Sequence, residues 1–280
     1  MALPFLTFGS IVCASMDFSS IRFDLSKGFM LVNRVVKDMA KRSRGRKMVG
    51  HLNTEELEAI RKWPTCAVAN AIELFNIRPR NQGFMLPDIE CMYPDLGPMI
   101  GYAVTAVITA ESPEGRRVQP LDWWQEILKV PEPRVVVIHD IDRPVLGSFW
   151  GEVNANIHKA LGCVGAVTDG SVRDMTEVKE AGFHFFASCV SVSHAYVHLV
   201  DVGVPVTVGG LVVKPRDLIM GDLHGVLSIP LEIAKDVPKA AQMVEDWERP
   251  IIDFCKSKTF TMEGLKERYL SPRPTWPPKK

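Results

Sequence analysis

Along the middle of the chain, continuous apolar runs alternate with stretches in which apolar residues recur every three or four positions, the pattern of buried strands separated by amphipathic helices. RVVVIHD (134–140) is a β-branched run suited to a strand covered on both faces, and CVGAVTDG (163–170) is a second one. Between them GEVNANIHKAL (151–161) has helical spacing, with Gly162 as its terminator. Strand, helix and strand in this order predict a β-α-β unit with parallel strands and a right-handed crossover.

The same reading extends in both directions. Asn53-Thr54-Glu55-Glu56 opens a short helix with a capping-box pattern that ends before Pro64. Thr65 is expected to cap a second helix, in which Val68, Ile72 and Phe75 share a face. GYAVTAVITA (101–110) alternates like a strand, and LDWWQEILKV (121–130) is a helix stopped by Pro131. DMTEVKEAG and HFFAS add one more helix and strand. Beyond Val204 the pattern changes to VPVTVGG, LVVKPRD, LIMGD and HGVLSIP, short segments between turns that predict an antiparallel meander. The end is helical, in EIAKDVPKAAQMVEDWE and TMEGLKERYL, followed by PRPTWPPKK, expected as a disordered tail.

Composition narrows the classes of function. With 280 residues, 46% hydrophobic and 24% charged, and no Pro/Gly/Ser-rich linker, the chain is expected to form one large-cored domain with an appendage. Lys+Arg and Asp+Glu both number 33, so no long-range field draws the chain to nucleic acid or to an anionic membrane surface. Six scattered cysteines without a C-x-x-C pair suit reduced core thiols in a cytoplasmic protein. Residues 1–16 are mostly apolar but lack a basic start and a small-residue cleavage site. No segment reaches the roughly 20 apolar residues of a membrane span. The basic run KDMAKRSRGRK (37–47) has no interleaved aromatic residues and is expected to be a solvated tail. Residues 1–47 are therefore read as a poorly ordered extension, 48–270 as the domain and 271–280 as the tail.

In a parallel β-α-β unit, ligands collect beyond the carboxyl ends of the strands. That edge brings Glu152, in the first turn of one helix, toward Arg173 and Asp174 at the start of the next. The first-turn amides of Gly151, Glu152, Val153 and Asn154 suit a carboxylate, because unpaired N–H groups and the helix dipole favour an anion there. Asp174 and Glu152 can hold a hard cation such as Mg²⁺ or Mn²⁺ directly or through its waters. Arg173 can bind a 2-oxo oxygen and stabilise charge developing on it. Taken by spacing alone, an Arg-Asp pair at a helix start equally fits a capping carboxylate beside a solvated neighbour. The DG-x-x-RD run matches neither G-x-G-x-x-G nor the Walker A loop.

GCVGAVTDGSVRD (162–174) resembles the G-x-x-G-x-V-x-DG-x-x-RD core of the RraA-like family, which includes 4-hydroxy-4-methyl-2-oxoglutarate aldolases. Those aldolases carry an acid, usually Asp, twenty residues before Arg-Asp. Here that position is Glu152, longer by one methylene. TCAVANAIE (65–73), GYAVTA (101–106) and VVKPRDLIMGDLHGVLSIP (212–230) also match, with Arg216 where glycine is usual. The resemblance implies an α/β fold of the swivelling β/β/α type with helical terminal segments. It implies a metal-dependent pyruvate aldolase that doubles as an oxaloacetate decarboxylase, with Arg173, Glu152 and Asp174 as catalytic and metal-holding residues. It also implies homotrimers or homohexamers, with a neighbouring subunit completing the site. Other members of the family resemble a trimeric, non-enzymatic inhibitor of an RNA-degrading enzyme, and a sugar-acid derivative is a further candidate substrate. His194 and His198 stand four apart like helical metal ligands but lack the acid of an H-E-x-x-H motif, and packing roles are expected for them. His139 and Asp140 lie at the functional edge as supporting groups, Trp123 and Trp124 suit a helix packing face, and Asp222 and His224 suit a tight turn.

Overall fold

The computed structural model describes residues 51–278, so the extension at 1–47 lies outside the described residues. The first helix, α1 (Thr54–Arg61), begins as its capping box dictates: Asn53 Oδ1 accepts from the Glu56 N–H at 2.9 Å, and Glu56 Oε2 accepts from the Asn53 N–H at 2.8 Å. The second, α2 (Thr65–Leu74), is capped differently from the expectation. Thr65 is its first helical residue, and the carboxylate of Asp222 accepts from the Thr65 N–H at 2.7 Å and from its hydroxyl at 2.6 Å. Asp222 also accepts from the His224 N–H at 2.9 Å, so one buried carboxylate closes a turn and caps a distant helix.

The main sheet has eight strands: β1 (Glu90–Cys91), β2 (Met99–Thr109), β3 (Arg134–Asp140), β5 (Cys163–Thr168), β7 (His184–Ala187), β9 (His198–Val202), β12 (Leu218–Asp222) and β13 (Gly225–Ile229). β2, β3, β5 and β7 are parallel, as the β-α-β reading requires, with α3 (Pro120–Leu128) and α4 (Glu152–Ala160) as crossovers. The free side of β2 pairs antiparallel with β12 along its first half and with β9 along its second, which curls the sheet toward a barrel.

The unbroken apolar run of β3 is explained by the two layers that cover it. Val136 and Ile138 pack among the helices, with Ile60, Val68, Trp123, Ile127 and Ala240. Val135 and Val137 face the hairpin of β10 (Val206–Val208) and β11 (Leu211–Val213). That hairpin turns through Gly209 and Gly210 at φ +52° and +75°, conformations open to glycine. The helical layer is completed by α6 (Val237–Lys256), which packs on α2, and by α7 (Met262–Tyr269). Residues 271–278, expected as a disordered tail, pack back on the helices. The Trp276 ring lies 4.8 Å from that of Phe75, and Trp247 Nε1 donates to Ser271 Oγ at 3.0 Å. A large amphipathic ring finding a half-exposed apolar face outweighs the flexibility of the surrounding prolines.

Candidate functional site

Three consecutive parallel strands do not stop at the edge of the main sheet. β3 leads through the loop at 141–147 into a very short strand, β4 (Ser148–Trp150), and β5 and β7 bend directly into two more, β6 (Ser171–Val172) and β8 (Cys189–Val190). These pair in parallel as a second, three-stranded sheet in the order β4-β6-β8. Helix α4 springs from β4, and α5 (Met175–Glu180) from β6. Because Trp150 and Val172 are register partners, the residues that follow each are neighbours too. The Arg173 N–H donates to Trp150 O at 3.1 Å, and the Glu152 N–H donates to Asp174 Oδ2 at 2.9 Å.

The pair is therefore set by sheet register rather than by chance proximity at a helix start. Asp174 adopts a left-handed conformation, φ +55° and ψ +48°, at the residue that caps α5. For a residue other than glycine this costs on the order of 1 kcal/mol, and such outliers concentrate at functional sites. Gly151 has an ordinary extended backbone, so its role is spatial: a Cβ there would lie 2.5 Å from Asp174 Oδ2 and 3.3 Å from Arg173 Cγ. The Arg173 Nε lies 3.9 Å from Asp174 Oδ2, and both side chains are about one-third exposed, at 35% and 38%. The outer nitrogens of Arg173 have no hydrogen bond or ion pair among the described residues, which leaves a cation open to a ligand. Of the first-turn amides of α4, that of Glu152 is taken by Asp174, and those of Val153 and Asn154 remain for an anion. Asn154 Nδ2 is tied to Phe149 O at 2.5 Å, while the Glu152 carboxylate is exposed and free of hydrogen bonds and ion pairs among the described residues.

Two further residues belong to this edge that periodicity alone did not reveal. Tyr93 is buried, its hydroxyl 3.6 Å from Met175 Sδ, and burial together with the negative charges of Glu177 and Asp174 pushes its pKa up to about 12. Its hydroxyl is thus a fixed donor at neutral pH. Glu177 stands three residues after Asp174, one turn along α5, a spacing readable in the sequence as R-D-x-x-E. Among the described residues no three His, Cys, Asp or Glu side chains gather in the geometry of a metal site. The donor chemistry nonetheless fits Mg²⁺ or Mn²⁺, which commonly take one or two carboxylates and keep several waters. The Asp174 side chain is partly exposed, and its Oδ1 carries no hydrogen bond among the described residues.

Behind this edge the helix α4 is held by a buried chain of rings. Trp123 Nε1 donates to His158 Nε2 at 2.9 Å, which makes His158 Nδ1 the protonated nitrogen facing Asn154 O at 2.6 Å. Burial lowers the His158 pKa to about 4, so it stays neutral. Trp123 is thus a packing residue. His194 and His198 lie in a loop and in β9 rather than on a helix, each bonded to a nearby backbone carbonyl.

At the ends of β3 and β5 a second polar group forms. Asp169 accepts from the Asp140 N–H at 2.8 Å and from Arg143 Nη2 at 2.6 Å, and its Oδ2 lies 2.7 Å from His139 Nδ1. Burial pushes the Asp169 carboxyl up, but the hydrogen bonds from His139 and the Asp140 amide and the charges of His139 and Arg143 outweigh it and hold the group below its ordinary value. Asp140 goes the other way. It is fully buried, its Oδ2 has no partner among the described residues, and burial first, then the charges of Asp142 and Asp169, raise its pKa from 3.8 to about 6. A folded-state value above the unfolded one favours folding at pH below 4, and that contribution is lost as the pH rises through 6. We therefore predict that Asp140→Asn stabilises the fold at pH 7.5 by about 1–2 kcal/mol and has little effect at pH 4. Thermal melts at the two pH values check this, and an equal shift at both would contradict it.

A mixed α/β sheet curled toward a barrel, with a small parallel sheet that delivers an Arg-Asp pair to the first turn of a crossover helix, defines the class of protein. The RraA-like family model, described as Aldolase/RraA, matches residues 65–228, and the chain belongs to this family. It is 30% identical over 99 residues, 35% of its length and 47% of the other, to a protein of Halalkalibacterium halodurans named "Putative 4-hydroxy-4-methyl-2-oxoglutarate aldolase". The chain spans about half the length of the curated relatives it matches. Among solved structures, an uncharacterized protein of Pseudomonas syringae superposes with a TM-score of 0.62 at 23% identity, covering 81% of this chain and 98% of the other. A Streptomyces coelicolor protein described as "an unusual member of the RNase ES inhibitor RraA protein family" gives 0.57 at 21% identity, covering 71% and 96%. At these identities the likeness is one of fold.

Proposed function

We propose that the chain is a divalent-metal-dependent lyase that cleaves a 4-hydroxy-2-oxo acid to pyruvate and a carbonyl compound, and that it also decarboxylates oxaloacetate. The observation that carries the reading is the in-register placement of Arg173 and Asp174 against the first turn of α4, with Gly151 leaving the space between them. The Val153 and Asn154 amides receive the substrate carboxylate, supported by the positive end of the helix dipole. Arg173 donates to the 2-oxo oxygen, and as the C3–C4 bond breaks its electron pair moves toward that oxygen, where the fixed cation stabilises the growing charge. Glu152, exposed at the mouth, positions a water that takes the C4 hydroxyl proton; the product enolate then regains a proton at C3. Asp174 and Glu152 are the residues to hold the cation, which supplies Lewis-acid polarisation of the 2-oxo acid when bound.

Assembly into homotrimers or homohexamers belongs to the same reading. Among the described residues the outer strand β8 pairs only with β6, and Val190, Val192 and, at the head of α4, Val153 are exposed. An open strand edge with an apolar rim invites a second copy. Light scattering that gives a monomer at micromolar concentration would contradict it.

The metal assignment is tested by Mn²⁺ titration followed by electron paramagnetic resonance. Asp174→Asn is expected to weaken Mn²⁺ binding at least roughly tenfold, since a neutral amide is a poorer ligand for a hard cation. Unchanged Mn²⁺ affinity would remove Asp174 from the metal site. Glu152→Gln is expected to slow aldol cleavage more than oxaloacetate decarboxylation, because loss of CO₂ requires no base at C4. Equal slowing of both reactions would take the proton-transfer role away from Glu152.

A further inference from the structure

The alternation that directs Val135 and Val137 toward the β10–β11 hairpin carries His139 to the same face of the main sheet. There it lines a cleft of about 450 Å³ together with Arg143, Asp169, Asp88, Ile89 and Val145. None of Gly151, Glu152, Arg173 or Asp174 borders this cleft, and its volume falls within the rough 300–1,000 Å³ of small-molecule sites.

The polar groups facing it are held in place. His139 Nδ1 is fixed by Asp169, and because Asp169 is ionised at neutral pH the proton between them sits on Nδ1. In the neutral ring, Nε2 is then a bare acceptor, and it has no hydrogen-bond partner among the described residues. Arg143 is locked by Asp140 O at 2.8 Å, Asp142 O at 2.6 Å and Asp169 at 2.6 Å, yet its side chain is 55% exposed and its Nε donates to nothing among the described residues. An immobilised guanidinium beside an oriented imidazole acceptor is a fit for a ligand carrying both a carboxylate and a hydroxyl. The lining carboxylates of Asp88 and Asp169 outnumber the single Arg143 charge, which disfavours a polyanion and leaves recognition of a monoanion to directional bonds. Ile89 and Val145 supply apolar wall for a short carbon chain.

We propose that this cleft binds a small 2-hydroxy monocarboxylic acid, its carboxylate on Arg143 and its hydroxyl donating to His139 Nε2. The site is independent of the lyase reading, and its test reads binding rather than turnover. The full chain, with ¹⁵N-labelled histidine, is titrated with lactate (both enantiomers), with propionate, which lacks only the hydroxyl, and with inorganic phosphate. Lactate is expected to shift the His139 Nε2 resonance and to bind about five- to tenfold more tightly than propionate, the scale of one neutral hydrogen bond. His139→Gln should erase that preference, Arg143→Gln should weaken both ligands, and Arg173→Lys should leave both unchanged. Equal binding of lactate and propionate, tighter binding of phosphate, no shift at His139, or loss of lactate binding in Arg173→Lys would each overturn the proposal. The wild-type titration decides the hydroxyl preference even if a variant fails to fold.

Discussion

Arg173→Lys is expected to lower kcat for pyruvate release by roughly two to three orders of magnitude, the usual scale for removing a donor that stabilises a developing oxyanion. Metal affinity and thermal stability should change little, because the outer Arg173 nitrogens bond to nothing among the described residues and its backbone N–H, which the substitution keeps, ties it to Trp150 O. Lysine retains the charge but concentrates it in one flexible ammonium, without the planar fork that reaches the 2-oxo oxygen and stays in place. Steady-state kinetics at saturating Mn²⁺ measure the loss. Turnover near that of the wild type would return Arg173 to the role of a solvated neighbour of a capping aspartate.

Gly151→Ala is the second large effect. Its backbone conformation is open to alanine, so the fold should survive, but the new methyl would sit 2.5 Å from Asp174 Oδ2. The carboxylate must swing away and give up its bond from the Glu152 N–H, moving the metal-holding group and freeing the α4 first turn. A displacement of about 1 Å at a reacting centre costs roughly 100-fold in rate. The expected result is a folded protein with a circular dichroism spectrum like that of the wild type and kcat/KM reduced on that order. A variant with full activity would show that the Gly151 contact is incidental.

The legible parts of the fold share one property: a single segment carries the whole signal. β3 is legible over 134–140 because burial on both faces demands an unbroken apolar run, and the β-α-β order then dictates the parallel pairing of β3 and β5. The small sheet was not legible, because strands of two or three residues, such as Ser171–Val172, are too short to show a period. Its pairing depends on the loop after β3 and the bends after β5 and β7, a property of three separated segments. The cap of α2 escaped for the same reason, since Asp222 lies 157 residues from Thr65. For the candidate site, the strand-end edge of the β-α-β unit already groups Glu152, Arg173 and Asp174, the family resemblance singles them out, and the register of β4 with β6 sets the residues that follow Trp150 and Val172 side by side. Tyr93 lies in an irregular segment without a motif, and only its burial beside Asp174 and Glu177 places it at this edge.

Metal-dependent lyase activity is tested by coupled detection of pyruvate from a panel of 4-hydroxy-2-oxo acids and oxaloacetate, run with the purified full chain in the presence of Mg²⁺ or Mn²⁺ and again after chelation. Pyruvate release is expected from at least one 4-hydroxy-2-oxo acid and from oxaloacetate, abolished by chelation and restored by adding the cation back. No pyruvate from any member of the panel above the protein-free rate, with metal present, would contradict it and place the chain with the non-catalytic binding members of its family.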